Sequence, residues 1–169
     1  FITTDLDDNQ ITAFHPGAMT HSEVNSISEV NENIEIVLIS PDGKEGMIKH
    51  AEEAFSKKIP FIFDPGQGLP MFNEQELKDF IEKATYITVN DYEAQLLSRN
   101  SHLSLGEIRK KVEALIITKG SSGSTIMTSS DEIHIPAFNV ENPVDPTGCG
   151  DAYRAGIAYG IVKNWNWEK

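Results

Sequence analysis

The sequence has little of what marks several classes of protein. Its 169 residues include a single cysteine, which excludes an internal disulfide framework and a cysteine-based zinc cluster. Basic residues are also few, with 14 Lys and Arg against 26 Asp and Glu. The resulting net charge of -12 argues against nucleic acid or an anionic membrane as a partner. No apolar run approaches transmembrane length and no signal peptide is evident, so we expect a cytoplasmic protein.

The sequence also lacks two common phosphate-binding motifs. No G-x-x-x-x-G-K-[ST] segment occurs, which excludes a P-loop, and no G-x-G-x-x-G segment occurs either. An NAD-binding Rossmann protein needs those glycines after its first strand and is therefore disfavoured. There is no initiator methionine, and Trp165–Lys169 forms no obvious ending. We therefore expect a chain that is truncated at both ends.

What is present is an alternation of strand-like and helix-like segments. From residue 34 onward this alternation predicts βαβ units and an α/β fold with a mostly parallel sheet flanked by helices. The predicted strands are Ile34–Ile39 (buried on both faces), Pro60–Phe63, Tyr86–Val89, Leu115–Thr118, and a terminal hairpin of Ser124–Met127 and Glu132–Ile135. The predicted helices are Lys44–Lys57 (with Phe55 on its inward stripe), Glu74–Lys83, Asp91–Leu97, Ser104–Glu113 and Ala152–Ile161.

The N-terminal segment has a different pattern. Two short strand-like pieces, Phe1–Thr4 and Gln10–Phe14, flank an acidic turn and predict a hairpin, which His15-Pro16-Gly17 ends. We therefore divide the chain into a hairpin unit, residues 1–19, and an α/β unit, residues 20–169.

The segment Gly148-Cys149-Gly150-Asp151 lies where the last predicted helix begins. A helix N-terminus has unpaired N–H groups and a positive dipole end, which suit a phosphate. The glycines let the backbone approach such a ligand closely. Asp151 then has two interpretations: it caps the helix, or it accepts the proton of a hydroxyl that attacks the phosphate.

Two further polar loops follow predicted strands. Asn90 and Glu93 have the spacing of a helix capping box, and Thr118–Gly123 is rich in Gly and Ser and leads into a hairpin. In open α/β sheets, ligands bind at the carboxyl ends of the strands. We therefore expect both loops to lie at the edge of the sheet that also carries Asp151.

These segments together resemble the ribokinase-like (PfkB) family of carbohydrate and nucleoside kinases. Residues Asp145–Tyr153 (DPTGCGDAY) are similar to the family signature D-T-x-G-A-G-D-x-F and depart from it at Pro146, Cys149 and Tyr153. The resemblance implies a three-layer ribokinase-like fold with a β-lid, of which the hairpin is a remnant. It also implies that Gly148, Cys149 and Gly150 form an anion hole for the transferred phosphoryl group and that Asp151 is the base.

The same resemblance assigns roles to the other two loops. Asn90 and Glu93 match the family N-x-x-E motif, implicated in handling Mg²⁺ and phosphate. Thr118, Gly120 and Gly123 match the T-x-G-x-x-G segment that lines the nucleotide. Asp145 matches a position associated with a monovalent cation such as K⁺ in some members.

Two basic residues near these motifs each have two possible interpretations. Lys119 either meets a phosphate or is an exposed turn lysine. Arg154, one helical turn after Asp151, either approaches the phosphates or lies on the helix surface.

The implied activity is transfer of the γ-phosphoryl group of ATP, with Mg²⁺, to a hydroxyl of a nucleoside or sugar. The segments Phe14–Ala18 and Asp64–Gln67 most resemble the adenosine-kinase-like branch, and Phe14 and His15 would lie on the lid side of the substrate. His15 is alternatively a simple turn histidine. The competing hypothesis is a nucleotide-binding or regulatory module that does not catalyse in this truncated form.

Overall fold

The main sheet has six strands that neighbour one another in chain order, as given by a computed structural model that describes residues 2–4, 10–141 and 147–168. The strands are β3 (Val37–Ile39), β4 (Phe61–Phe63), β5 (Tyr86–Asn90), β6 (Ala114–Thr118), β7 (Ser124–Met127) and β8 (Glu132–Ile135). The pairs from β3 to β6 are parallel, and those from β6 to β8 are antiparallel. The predicted mostly parallel sheet and its terminal hairpin are therefore confirmed.

Two more strands, β1 (Ile2–Thr4) and β2 (Gln10–Thr12), form a separate antiparallel sheet. This confirms the predicted N-terminal hairpin, although β2 ends two residues before Phe14. Its division from the rest of the chain as a unit of residues 1–19 stays a prediction, as does its role as a lid.

Five α-helices accompany the strands in the described part of the chain. They are α1 (Lys44–Ser56), α2 (Glu74–Lys83), α3 (Asp91–Ser101), α4 (Leu105–Ile108) and α5 (Cys149–Val162). Helices α1 to α4 contribute to one hydrophobic core, whereas α5 packs against a second core that contains Ile62, Tyr86, Ile116 and Ile126. Because side chains of one strand alternate between faces, these two cores lie on opposite faces of the sheet. The three-layer arrangement predicted from the resemblance is thus present.

Strand β4 lies at the centre of this packing because all three of its residues are apolar and fully buried. Phe63 stacks on Phe80 of α2 with ring centroids 4.1 Å apart, and Phe72 meets both rings edge-on. Such aromatic pairs stabilise a core beyond the area that they bury. Asp64, the residue that follows β4, is therefore held on a rigid support.

The predicted helix Ser104–Glu113 is wrong in its length. Only α4 is helical, and afterwards the N–H groups of Lys110 and Lys111 bond to carbonyls three residues back. At this turn Arg109 donates hydrogen bonds to the carbonyls of Thr128 and Asp131 in the β7–β8 hairpin, and the Glu113 N–H donates to the distant Thr85 carbonyl instead of to a helical one. Periodicity within the segment contains no information about those distant partners.

Two predictions of burial are also wrong. Leu38 in β3 is 41% exposed because β3 is the edge strand of the described sheet, and the strand is shorter than the predicted Ile34–Ile39. Phe55 is 52% exposed because it lies on the outer side of α1, beside the buried Ala54. None of the helices in the described part of the chain combines the length and apolar character needed to cross a bilayer.

Candidate active site

The carboxyl ends of β4, β5 and β6 bring the predicted site residues to one edge of the sheet. Asn90 at the end of β5 is paired in register with Thr118 at the end of β6. Asp64 follows β4, and its N–H donates to the carbonyl of Ile39 at the end of β3, 2.9 Å away. Because the strands are parallel, the loops that follow them share this edge, as the sequence predicted.

Asn90 and Glu93 form a reciprocal capping box at the start of α3. The Asn90 side chain accepts from the Glu93 N–H at 2.8 Å, and the Glu93 carboxylate accepts from the Asn90 N–H at 2.8 Å. The capping interpretation is therefore confirmed. The proposed role of both residues with Mg²⁺ and phosphate remains a prediction.

The loop Thr118–Gly123 contains one short 3-10 turn, Gly120–Ser122. Gly120 and Gly123 both have positive φ, 55° and 85°, which favours glycine at both positions. The Lys119 ammonium donates to the Thr125 hydroxyl at 2.8 Å, so in this structure Lys119 is bonded to β7. The turn predicted from glycine and serine content is thus present.

Helix α5 begins at Cys149, with Gly148 as its N-cap in the left-handed region (φ 79°) and without a side-chain cap. Its first intrahelical hydrogen bond runs from the Ala152 N–H to the Gly148 carbonyl, at 2.9 Å. The amides from Cys149 to Asp151 precede that bond and lie at the positive end of the helix dipole. Asp151 lies inside the first turn, so the interpretation of Asp151 as the N-cap is wrong.

The Asp151 side chain is 89% exposed, and its Oδ1 lies 3.4 Å from Nη1 of Arg154. The Cys149 thiol is also exposed and free. An exposed carboxylate beside free helix amides is accessible to a bound substrate. Asp151 therefore has the access that a general base requires.

One residue of the site, Asp64, was missed as a functional candidate from the sequence. It is only 2% exposed, and its Oδ2 accepts from the Ser40 hydroxyl at 3.1 Å and pairs with Nε of Arg154 at 2.6 Å. Burial raises the pKa of Asp64 above its usual value, and the charge of Arg154 partly offsets that increase. The local signals were an acid directly after a buried strand and its place in Asp64–Gln67, the segment that resembles the adenosine-kinase-like branch.

Arg154 is consequently neither a free surface residue nor a free phosphate ligand in this structure. Its side chain is 20% exposed and connects Asp151 to Asp64. The neighbouring Tyr153 donates from its hydroxyl to the buried Ser124 of β7 at 2.8 Å. These contacts connect the start of α5 to the edge of the sheet.

The remaining predicted site residues are Asp145, Phe14 and His15. Asp145 lies outside the described residues. Phe14 is 68% exposed, and Nδ1 of His15 accepts from the Gly17 N–H at 3.2 Å, as a turn histidine would. The proximity of Phe14 and His15 to a substrate stays a prediction.

The sheet order, the layers and the start of α5 define a ribokinase-like α/β protein. The sequence model of the pfkB family carbohydrate kinases matches residues 1–169. The chain therefore belongs to the pfkB family of carbohydrate kinases, which confirms the family resemblance.

Individual relatives support the same family. A nucleoside kinase of Methanocaldococcus jannaschii is 38% identical over 169 residues, which are 100% of this chain and 55% of that protein. A ribokinase of Bacillus subtilis is 32% identical over 147 residues, 86% of this chain and 47% of that protein. The chain spans about half the length of these curated relatives.

A solved structure is also closely similar. It is the nucleoside kinase of Burkholderia thailandensis in complex with inosine, with a TM-score of 0.94 and 52% identity over 99% of this chain and 54% of that chain. A further structure of that enzyme is a complex with ADP-inosine.

Proposed function

We propose that this chain is part of an ATP-dependent kinase that phosphorylates a hydroxyl of a nucleoside. The observation that carries the proposal is the exposed Asp151 carboxylate in the first turn of α5, connected through Arg154 to the sheet edge that bears Asn90 and Thr118. This arrangement places a base, free helix amides and a polar loop around one edge. ATP is supplied in the cytoplasm, so the cytoplasm is the proposed location.

Asp151 accepts the proton of the attacking hydroxyl in this proposal. The hydroxyl oxygen bonds to the γ-phosphorus while the bond from that phosphorus to the bridging oxygen breaks, and ADP leaves. Helix amides from Cys149 to Asp151 stabilise the negative charge on the phosphoryl group in transit. Gly148 borders open space, because a Cβ built on it meets nothing within 4 Å. With no side chain at this position, the phosphoryl group can approach the backbone closely.

The described residues fit a hydrated Mg²⁺ better than an ion enclosed by protein. Among them, no group of three or more His, Cys, Asp or Glu side chains is arranged to hold a metal ion. Mg²⁺ in nucleotide sites is usually held by one or two carboxylates, several waters and the phosphates. Asn90 and Glu93 would hold it through bound water, and it would neutralise charge on the phosphates. Asp145 would contribute to the metal site and to any dependence on K⁺.

The nucleotide would lie along Thr118, Gly120 and Gly123. A Cβ built on Gly120 meets nothing within 4 Å, so the turn borders open space on that side. Glycines there let the backbone approach a ligand.

A nucleoside is the preferred acceptor because the most similar relatives described above are nucleoside kinases, one of them crystallised with inosine. The resemblance to the adenosine-kinase-like branch points the same way. A sugar is the second candidate, supported by the likeness to a ribokinase.

The proposal is tested by measuring ADP release from ATP and Mg²⁺ by the full-length gene product. Inosine, adenosine, guanosine, ribose and fructose serve as acceptors. We expect turnover with at least one nucleoside and much slower turnover with the free sugars. Calorimetric binding of ADP without turnover on any acceptor would instead support the nucleotide-binding module.

The metal role of Asn90 is separable from its capping role by a matched pair of variants. Asn73 caps α2 with the same reciprocal box, formed with Glu76. Asn90→Ala and Asn73→Ala are each expected to lower the free energy of unfolding by about 1 kcal/mol. Only Asn90→Ala should raise the Mg²⁺ concentration for half-maximal rate, by about tenfold.

Urea unfolding gives the free energy of unfolding of each variant, and titration of the rate with Mg²⁺ gives the Mg²⁺ concentration for half-maximal rate. Equal Mg²⁺ requirements in the two variants would limit Asn90 to a capping role.

A further inference from the structure

We propose that Arg154 is a positioning residue, which holds the Asp151 carboxylate in place while the buried Asp64 holds Arg154. This inference rests on the proposed function, because it concerns how the base of that reaction is oriented. It adds Asp64 and Arg154 to the residues on which the rate depends, although neither needs to touch the substrate.

The buried Asp64 carboxylate requires a cation beside it. Its carboxylate is almost completely excluded from solvent, and Oδ1 has no hydrogen-bond partner among the described residues. A buried carboxylate is costly unless it is paired and hydrogen-bonded. Arg154 is the only basic side chain of the described residues within 4.0 Å of it. The pair therefore has a strong reason to stay formed.

Few contacts fasten the start of α5, and among them is the hydrogen bond from the Tyr153 hydroxyl to Ser124. No residue of α5 is fully buried, and the N-cap Gly148 offers no side-chain hydrogen bond. The apolar contacts of α5 with the sheet begin only at Tyr153. The ion pair between Asp64 and Arg154 therefore supplies a specific connection from the first turns of α5 to the loop after β4.

The Arg154 guanidinium lies directly against Gly150. A Cβ at this position would lie 2.6 Å from Nη1 of Arg154, so the guanidinium folds back across the glycine. Gly150 thus makes room for Arg154 as well as for any phosphate. With Nε toward Asp64 and Nη1 toward Asp151, one planar guanidinium addresses two carboxylates at once. Lysine cannot reproduce this because its ammonium is a single point charge.

The contact between Arg154 and Asp151 affects the orientation of the Asp151 carboxylate more than the stability of the fold. The contact of Arg154 with Asp151 is 3.4 Å long, and Asp151 is largely in water. Exposed ion pairs of this kind contribute little to folding stability. The contact does restrict where the carboxylate points, and misplacing a catalytic group by about 1 Å can cost about 100-fold in rate.

The test compares Arg154→Ala with Arg99→Ala, which removes an exposed arginine of α3 whose side chain donates a long hydrogen bond to its neighbour Asn100. Arg154→Ala is expected to lower kcat by about 100-fold and to leave KM for ATP and nucleoside unchanged. Guanidinium at millimolar concentration should restore part of kcat. Arg99→Ala should retain the wild-type kcat.

A double-variant cycle tests the connection to Asp64. Asp64→Asn is nearly isosteric and should also lower kcat with unchanged KM. Combined with Arg154→Ala, it should add little further loss, because both changes break one unit. If Arg154→Ala does not fold, Arg154→Lys replaces it and is expected to show the same split between kcat and KM.

The outcomes distinguish this inference from the proposed function. Wild-type kcat in a folded Arg154→Ala variant, or a loss confined to KM, would overturn the positioning role while Asp151→Asn remained inactive. Absence of turnover by the wild-type protein on every acceptor would overturn the proposed function itself.

Discussion

Replacing Asp151 by asparagine is expected to lower kcat by about 100-fold to 10,000-fold, the range that a general base contributes. Asparagine has a similar size and keeps a polar oxygen, but it cannot accept the proton of the attacking hydroxyl. The side chain is exposed, and within the described part of the chain its hydrogen bond and ion pair are both with Arg154, so folding should be little affected. ADP affinity should be largely retained, because the amides of the helix start belong to the backbone. The rate of ADP release at saturating substrates gives kcat, and calorimetric titration with ADP gives the ADP affinity.

Asp91→Asn is the matched control for this change. Asp91 is also exposed and also lies in the first turn of a helix, α3, at the same edge of the sheet. Asp91→Asn therefore removes a favourable negative charge from a helix N-terminus, as Asp151→Asn does. Each change is expected to lower the free energy of unfolding by about 0.3–1 kcal/mol. Near-normal kcat is expected for Asp91→Asn. Near-normal kcat for Asp151→Asn would show that Asp151 is not the base.

Replacing Gly123 by alanine is expected to lower the free energy of unfolding by about 3 kcal/mol or more. Gly123 has φ 85° and ψ −139°, a combination that is essentially restricted to glycine. A Cβ there would also lie 2.1 Å from the Ile135 carbonyl oxygen and 2.7 Å from the Ala137 nitrogen. Both are backbone atoms, so relief requires the end of β8 to move. Urea unfolding of the wild type and the variant gives the difference.

Comparison with Gly120→Ala distinguishes an effect on folding stability from an effect on nucleotide binding. Gly120 has a φ of 55°, which also favours glycine, but a Cβ would meet nothing within 4 Å. The expected cost is about 1–2 kcal/mol, from the left-handed backbone alone. Because the added methyl group enters the space proposed for the nucleotide, KM for ATP should rise. Equal loss of stability in both variants would contradict the difference in packing described here.

The sequence alone determined the positions of most strands and helices. Apolar patterning is a local property and is visible in the segments that became β4 to β8, α2 and α5, and α3 adds the capping residues Asn90 and Glu93. The alternation of these segments was enough to predict the parallel sheet, because βαβ units connect in one preferred way. The common edge for Asn90 and Thr118 followed from the same alternation, and the register of β5 and β6 confirmed it.

The family was also predictable from the residues, since Gly148-Cys149-Gly150-Asp151 and the two supporting loops occur in the family order. The roles of individual residues were less accessible. In sequence, Asp151 is compatible with both a cap and a base, and only the helix start at Cys149 excluded the cap. The capping box of Asn90 and Glu93 could be predicted because both partners lie within one turn.

Tertiary structure decided the features that join distant segments. Arg109, at the end of α4, bonds to a hairpin that follows later in the chain, and Leu38 is exposed because β3 lies at the edge of the described sheet. The same holds for Asp64, which is an ordinary loop acid until Arg154 on α5 is placed beside it. Local sequence patterns predict which residues can pair with near neighbours, whereas an ion pair between a loop and a later helix depends on how the layers pack. For that reason the sequence identified the proposed base, and only the folded chain revealed what holds it.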